Sequence, residues 1–252
     1  MTYEKPVLTY LSKLELKHDS NVNDSDYYSD LLLQSLFNFL KKNNFNSIKR
    51  VLEIGTGRGY ISLVLPNLIP SIEQIIATDV DHYAILLATQ NVQLNRLGHK
   101  ISIRTGSLFE PVEREQPFDL IIAVPPQLPL SKSQIKTLLN SSDTYHIHTS
   151  SGGESGRMLV DQIIASSYRF LSPVGMLVIA HSDIIGFEKT EDLMRRNGLV
   201  PQLIGSKAKL LKETTLTRLG KPIFESGGYS FRQNDFGEEY FNVGVFLGKK
   251  QN

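Results

Sequence analysis

Residues 51–63 read VLEIGTGRGYISL, and the fold is decided there. An apolar run broken only by Glu53 leads into glycines at alternate positions, Gly55, Gly57 and Gly59. A helical apolar pattern follows from Tyr60. Strand, tight turn and helix in that order form a ligand loop in α/β proteins. Two phosphate loops are excluded. A dinucleotide turn, G-x-G-x-x-G, would need its third glycine at residue 60, which is Tyr60. A P-loop needs Gly-Lys-Ser/Thr, which is absent. What remains is an acidic residue followed by G-x-G-x-G. Its backbone lets a ligand come close, and its carboxylate suits a cationic group better than a pyrophosphate.

Working outward, strand and helix signals alternate. QIIATD reads as a second strand, and DHYAILLATQNVQLNRLG as a long helix closed by Gly98. ISIRTG is a third strand, and FDLIIAVPP a fourth that its proline pair stops. After an irregular segment, 127–155, GRMLVDQIIASSYRFL reads as a helix, GMLVIAHS as a fifth strand and FEKTEDLMRRNG as a helix. The tail holds two β-rich runs, YSFRQNDF and YFNVGVFLG, which predict a β-hairpin. Upstream, DLLLQSLFNFLKK has helical spacing, and residues 1–30 are expected to form a short, polar helical arm that serves as a lid. The pattern predicts an α/β fold: an open, mostly parallel sheet with helices on both faces, one domain over 31–252 preceded by the arm. Ligands in such sheets bind at the carboxyl ends of the strands, here 53–60, 79–81, 105–109 and 123–129.

The composition removes several functions. Lys plus Arg number 27 and Asp plus Glu 26, a net charge of +1 that singles out neither nucleic acid nor an anionic membrane as partner. The basic groups at Lys41, Lys42, Lys49 and Arg50, and at Lys207, Lys209 and Lys212, read as solvated faces. With no cysteine there is no disulfide, thiolate metal site or cysteine nucleophile. Neither a signal-peptide block nor a run of membrane-span length occurs, so a cytoplasmic location is expected.

Asp79, ending strand two, can accept hydrogen bonds from two ribose hydroxyls. A ligand with a ribose, an amino acid moiety and no phosphate fits S-adenosylmethionine. The residues also carry a family resemblance over about 30–185. VLEIGTGRGYISL resembles motif I of class I S-adenosylmethionine-dependent methyltransferases, and IIATDVDHYAILLATQN resembles their second motif. The resemblance implies a Rossmann-like seven-stranded sheet with S-adenosylmethionine as cofactor. By the same resemblance Glu53, Gly55, Thr56, Gly57 and Gly59 hold its methionine part, Asp79 takes the ribose and Val80 packs on the adenine. Leu108 and Val124 complete the wall. Ser107, in TGSLFEP, stands where an Asp often meets the adenine amine, and still offers a hydroxyl.

The acceptor side is read from AVPPQLP and the later SSGGESGR, which resemble the release-factor glutamine methyltransferases (HemK-like). Those enzymes carry Asn-Pro-Pro-Tyr, whose Asn side chain and first Pro carbonyl hold the amide nitrogen. Here the positions read Val124, Pro125, Pro126 and Gln127, so the Asn acceptor and the Tyr are gone. Pro-Gln after strand four, with GKPIFESGGYSF, is similar to the methyltransferase domain of plant methionine S-methyltransferases, which implies small amino acid-like acceptors. The leading expectation is methyl transfer to a nitrogen or sulfur of a small molecule, with Pro125 and Gln127 orienting it. The alternatives are a protein side chain, glutamine included, and a non-catalytic binding module. His181 reads as a general base or as a structural histidine. Tyr27, Tyr28, Pro126, Tyr145, His146, Glu225 and Tyr229 are candidate substrate contacts, each with a plain surface or loop role as its alternative. His146 and His148 lack a third ligand, so no metal is expected.

Overall fold

Strand β1 (Arg50–Ile54) lies between β2 (Gln74–Asp79) and β4 (Phe118–Ala123), parallel to both. The computed structural model describes residues 14–19, 22, 27–43, 47–130, 150–211, 229 and 231–251. With β3 (Ile101–Thr105), β5 (Leu171–Ser182), β6 (Leu199–Leu210) and β8 (Glu239–Lys250), the sheet runs β3-β2-β1-β4-β5-β8-β6. The first five strands pair in parallel, and β8 runs antiparallel to both β5 and β6. Strand order reverses between β1 and β4. That switch point leaves the crevice in which such sheets bind ligands.

Alternation along each strand sends side chains to two faces. Val51, Leu120, Val178 and Val245 meet α1 (Tyr27–Asn43) and α2 (Tyr60–Leu68) on one side. Leu52, Ile121, Leu177 and Phe246 meet α4 (Met158–Phe170) and α5 (Phe187–Arg196) on the other. A third helix, α3 (His82–Leu94), starts at Asp81, whose side chain accepts from the Tyr83 amide at 2.9 Å and caps it.

Two differences from the sequence reading concern the C-terminal strands. Strand β6 carries no alternating apolar signal: it is an edge strand, half of it exposed, with Pro201 inside it. It is nevertheless the long partner of β8, from Leu199↔Lys250 to Leu210↔Tyr240. The expected hairpin survives only as β7 (Arg232–Gln233), two residues paired with Tyr240 and Glu239. Gly205, where β6 bulges, sits under α1, and a Cβ there would lie 1.9 Å from Ser35 Oγ.

Part of the polar arm lies along α3, held by two asparagines one helical turn apart. Asn91 accepts from the Lys17 amide at 2.8 Å and donates to the Lys17 carbonyl at 3.3 Å. Asn95 does the same for Glu15, at 3.1 and 2.7 Å. Four helical residues rise about 6 Å and two extended residues about 6.6 Å, so the asparagines match alternate arm residues. Among the described residues no helix is long and apolar enough to cross a membrane.

Candidate active site

The glycine loop works by conformation and by what its amides already bind. Gly55, Gly57 and Gly59 have φ of 76°, 53° and 84°, a region other residues rarely adopt. The amides of Gly55 and Thr56 both donate to the Thr78 carbonyl, at 2.8 and 2.9 Å, and that of Gly59 to the Thr56 carbonyl. The Gly57 amide donates to Asp79 Oδ2 at 2.9 Å. These four donors are therefore spent inside the fold and cradle no phosphate. A Cβ at Gly55 or Gly57 would meet nothing within 4 Å, so the glycines leave open space facing the crevice.

Glu53 is buried, 2% exposed, and organises the loop from below. Its Oε2 accepts from Thr56 Oγ1 at 3.0 Å, from the Ser62 amide at 3.1 Å and from the Ser62 hydroxyl. Burial pushes its carboxyl up to about 7, against the pull of those donors. Asp79 accepts the Asp81 amide on Oδ1 at 3.0 Å and the Gly57 amide on Oδ2, and burial raises its carboxyl as well. A carboxylate has about four acceptor sites, so Asp79 keeps capacity for a ligand hydroxyl.

A cavity of about 740 Å³ joins this loop to the end of β4, a volume in the usual range for small-ligand sites. Of the expected cofactor residues, Glu53, Gly55, Thr56, Gly57, Asp79, Val80, Ser107, Leu108 and Val124 line it. Val80 is 67% exposed, an apolar surface at the ribose end. Gly59 does not line the cavity: a Cβ there would touch Ala88 of α3 at 3.4 Å, so it serves the α2–α3 approach. Open glycine space, a carboxylate with free lone pairs and an apolar shelf fit S-adenosylmethionine, whose ribose and adenine these residues would hold.

At the other end Tyr28, Pro125, Pro126 and Gln127 line the cavity as expected. Three further expectations are corrected. His181 is fully buried on the opposite face of β5, stacked on Phe246 at 5.0 Å and edge-on to Phe187. Its Nδ1 donates to the Ser182 carbonyl, its Nε2 accepts from Thr190, and burial lowers its pKa to about 4. It is a structural histidine and reaches no ligand. Tyr27 gives its hydroxyl to the Ala208 carbonyl at 2.8 Å and stays off the cavity wall. The Tyr229 hydroxyl is bound to Asp183 at 2.8 Å, behind the wall. Tyr145, His146 and Glu225 lie outside the described residues.

Several wall residues escaped the sequence reading. Lys209, with its ammonium 4.5 Å from the Tyr27 ring centre, comes from the unrecognised β6, and Phe241 from β8. Ser150 and Ser151 come from the Gly-Gly-Glu segment, whose fit had a visible signal. A Cβ at Gly152 would lie 2.8 Å from the Gln127 Cα, and one at Gly156 2.5 Å from the Gln127 carbonyl. Only glycine lets this segment run against the β4 end. Arm residue Val22 and loop residue Arg58 close the cofactor end, and Arg58 lies 2.9 Å from the His18 ring.

Comparison with known proteins is consistent with this geometry. Residues 16–141 match the family described as methyltransferase small domain. A Methanocaldococcus jannaschii protein named "Putative protein N5-glutamine methyltransferase" is 30% identical over 185 residues, 73% of this chain and 84% of that one. The release factor glutamine methyltransferase of Clostridium acetobutylicum is 27% identical over 151 residues, 59% of this chain and 51% of its own length. The chain spans about half the length of the release factor enzymes it matches. The crystal structure of Bacillus subtilis YcgJ shares the fold at a TM-score of 0.56 and 13% identity, covering 86% of this chain and 98% of its own. These names overturn the expectation of a small-molecule acceptor, because the relatives are named for glutamine in proteins.

Proposed function

Because the chain belongs to the methyltransferase small domain family and is an S-adenosylmethionine-dependent methyltransferase, we propose that its acceptor is a protein, through the side-chain amide of a glutamine. The observation that carries this reading is the 84% span of the protein glutamine methyltransferase relative. The acceptor end of the cavity supports it, since Pro125 brings a carbonyl that can only accept and Gln127 an amide.

S-adenosylmethionine supplies an electrophilic methyl on a positively charged sulfur; the amide nitrogen bonds to that carbon as the carbon–sulfur bond breaks. The protein's part is placement and exclusion of water. Asp79 would hold the ribose and Val80 would cover the adenine, while Glu53 keeps the glycine loop in its left-handed turns. The Pro125 carbonyl takes one amide N–H and fixes the direction of the nitrogen. The other proton passes to solvent after transfer, because a protonated N-methyl amide is acidic enough to lose it to water unaided.

Incubation with methyl-tritiated S-adenosylmethionine and a cell extract, split afterwards into protein and small-molecule fractions, tests the acceptor. Label in a protein band is expected. Label confined to small molecules refutes the reading.

A further inference from the structure

Gln127 occupies the position after the proline pair, and its orientation is forced. Its Oε1 lies 2.6 Å from the Ser182 amide. A backbone N–H only donates, so the acceptor atom of the side chain must face it. Both Nε2 hydrogens are then turned elsewhere, on a residue that is 9% exposed and lines the cavity. The main chain is pinned too: the Gln127 and Leu128 amides both donate to the Ser150 carbonyl, at 3.0 and 2.8 Å. Gly152 and Gly156 crowd the same backbone. The donor pair is held by backbone contacts on two sides.

Resting on the glutamine reading above, we propose that Gln127 is a specificity-determining residue that donates from Nε2 to the carbonyl oxygen of the acceptor amide. A primary amide presents one acceptor beside two donors. The wall presents a complement: a donor at Gln127 and, two residues earlier, the acceptor carbonyl of Pro125. A protonated lysine or an arginine offers donors only and leaves Nε2 unmatched in a buried wall, which is costly. The wall therefore selects amides over cationic side chains. It also holds the amide from its oxygen side, whereas Val124 offers no side-chain hydrogen bond on the nitrogen side.

The variant Gln127→Glu separates this role from a structural one. It keeps an oxygen for the Ser182 amide and replaces the donor with a second acceptor. The probe is methyl-tritiated S-adenosylmethionine with the protein fraction of a dialysed extract, used below saturation. At pH 8 the variant should keep the wild-type melting temperature and calorimetric cofactor affinity while labelling protein at least about tenfold more slowly. Its rate should recover towards pH 5, where a protonated carboxyl donates again. Labelling at the wild-type rate at pH 8 overturns the proposal. Should Gln127→Glu fail to fold, Gln127→Met decides: slow labelling at every pH is expected, and a wild-type rate overturns the assignment. A wild-type enzyme that labels no protein defeats the glutamine reading and this assignment with it. Protein labelling that neither variant slows defeats this assignment alone.

Discussion

Glu53 and Asp79 are two carboxylates at the ends of neighbouring strands, and their environments assign them different work. Glu53 is fixed by three donors and stays half-protonated near neutrality, with its pKa at about 7. Its folded pKa lies above the unfolded value, so the folded state binds the extra proton between roughly pH 4.3 and 7. Stability from this group is complete below the unfolded pKa and is lost as pH rises through about 7. Thermal melts should fall between pH 5 and 8, and Glu53→Gln should flatten that slope. An unchanged slope would contradict the assignment. Asp79 lines the cavity with acceptor capacity to spare, and hydrogen bonds to a charged group are worth about 1.5–3 kcal/mol each. Asp79→Ala should raise the calorimetric Kd for S-adenosylmethionine at least about tenfold, by loss of ribose contacts and of the Gly57 anchor. An unchanged Kd would remove Asp79 from the cofactor site.

Arm and glycine segment are elements whose positions depend on single side chains. Asn91 is completely buried and joins the Lys17 backbone to the Arg58 carbonyl, to which it donates at 2.9 Å. Asn91→Ala should free the arm and leave partners unsatisfied, costing about 1–3 kcal/mol. Limited proteolysis should then cut within residues 14–22 sooner, and cofactor affinity should drop because Val22 lines the cavity. Proteolysis at the wild-type rate would show that the asparagine ladder does not hold the arm. Gly152→Ala tests the other element. The new Cβ would lie 2.3 Å from the Gly156 carbonyl oxygen, too close for any rotamer to relieve. The expected cost is about 1–3 kcal/mol, with a lower melting temperature and a displaced Gln127.

Across the whole molecule, legibility follows burial. The five parallel strands are apolar because helices cover both faces, so residues 51–63 and the alternation around them exposed the sheet and the cofactor end. Strand β6 was invisible because an edge strand with only Leu199 and Lys209 buried needs no apolar pattern, and Pro201 within it is tolerated only at an edge. Lys209 was lost to the acceptor wall with it. His181 misled for a related reason: its position on β5 was legible, but the face it points to depends on the packing of Phe187 and Phe246. The proline pair was legible and lines the cavity, yet the donor and acceptor roles proposed there rest on the Ser182 amide, 55 residues away. The acceptor atom is decided by tandem mass spectrometry of protein incubated with methyl-deuterated S-adenosylmethionine. The deuterated methyl is expected on the side-chain nitrogen of a glutamine; a methyl on lysine, arginine or a carboxylate, or none on protein, would contradict the assignment.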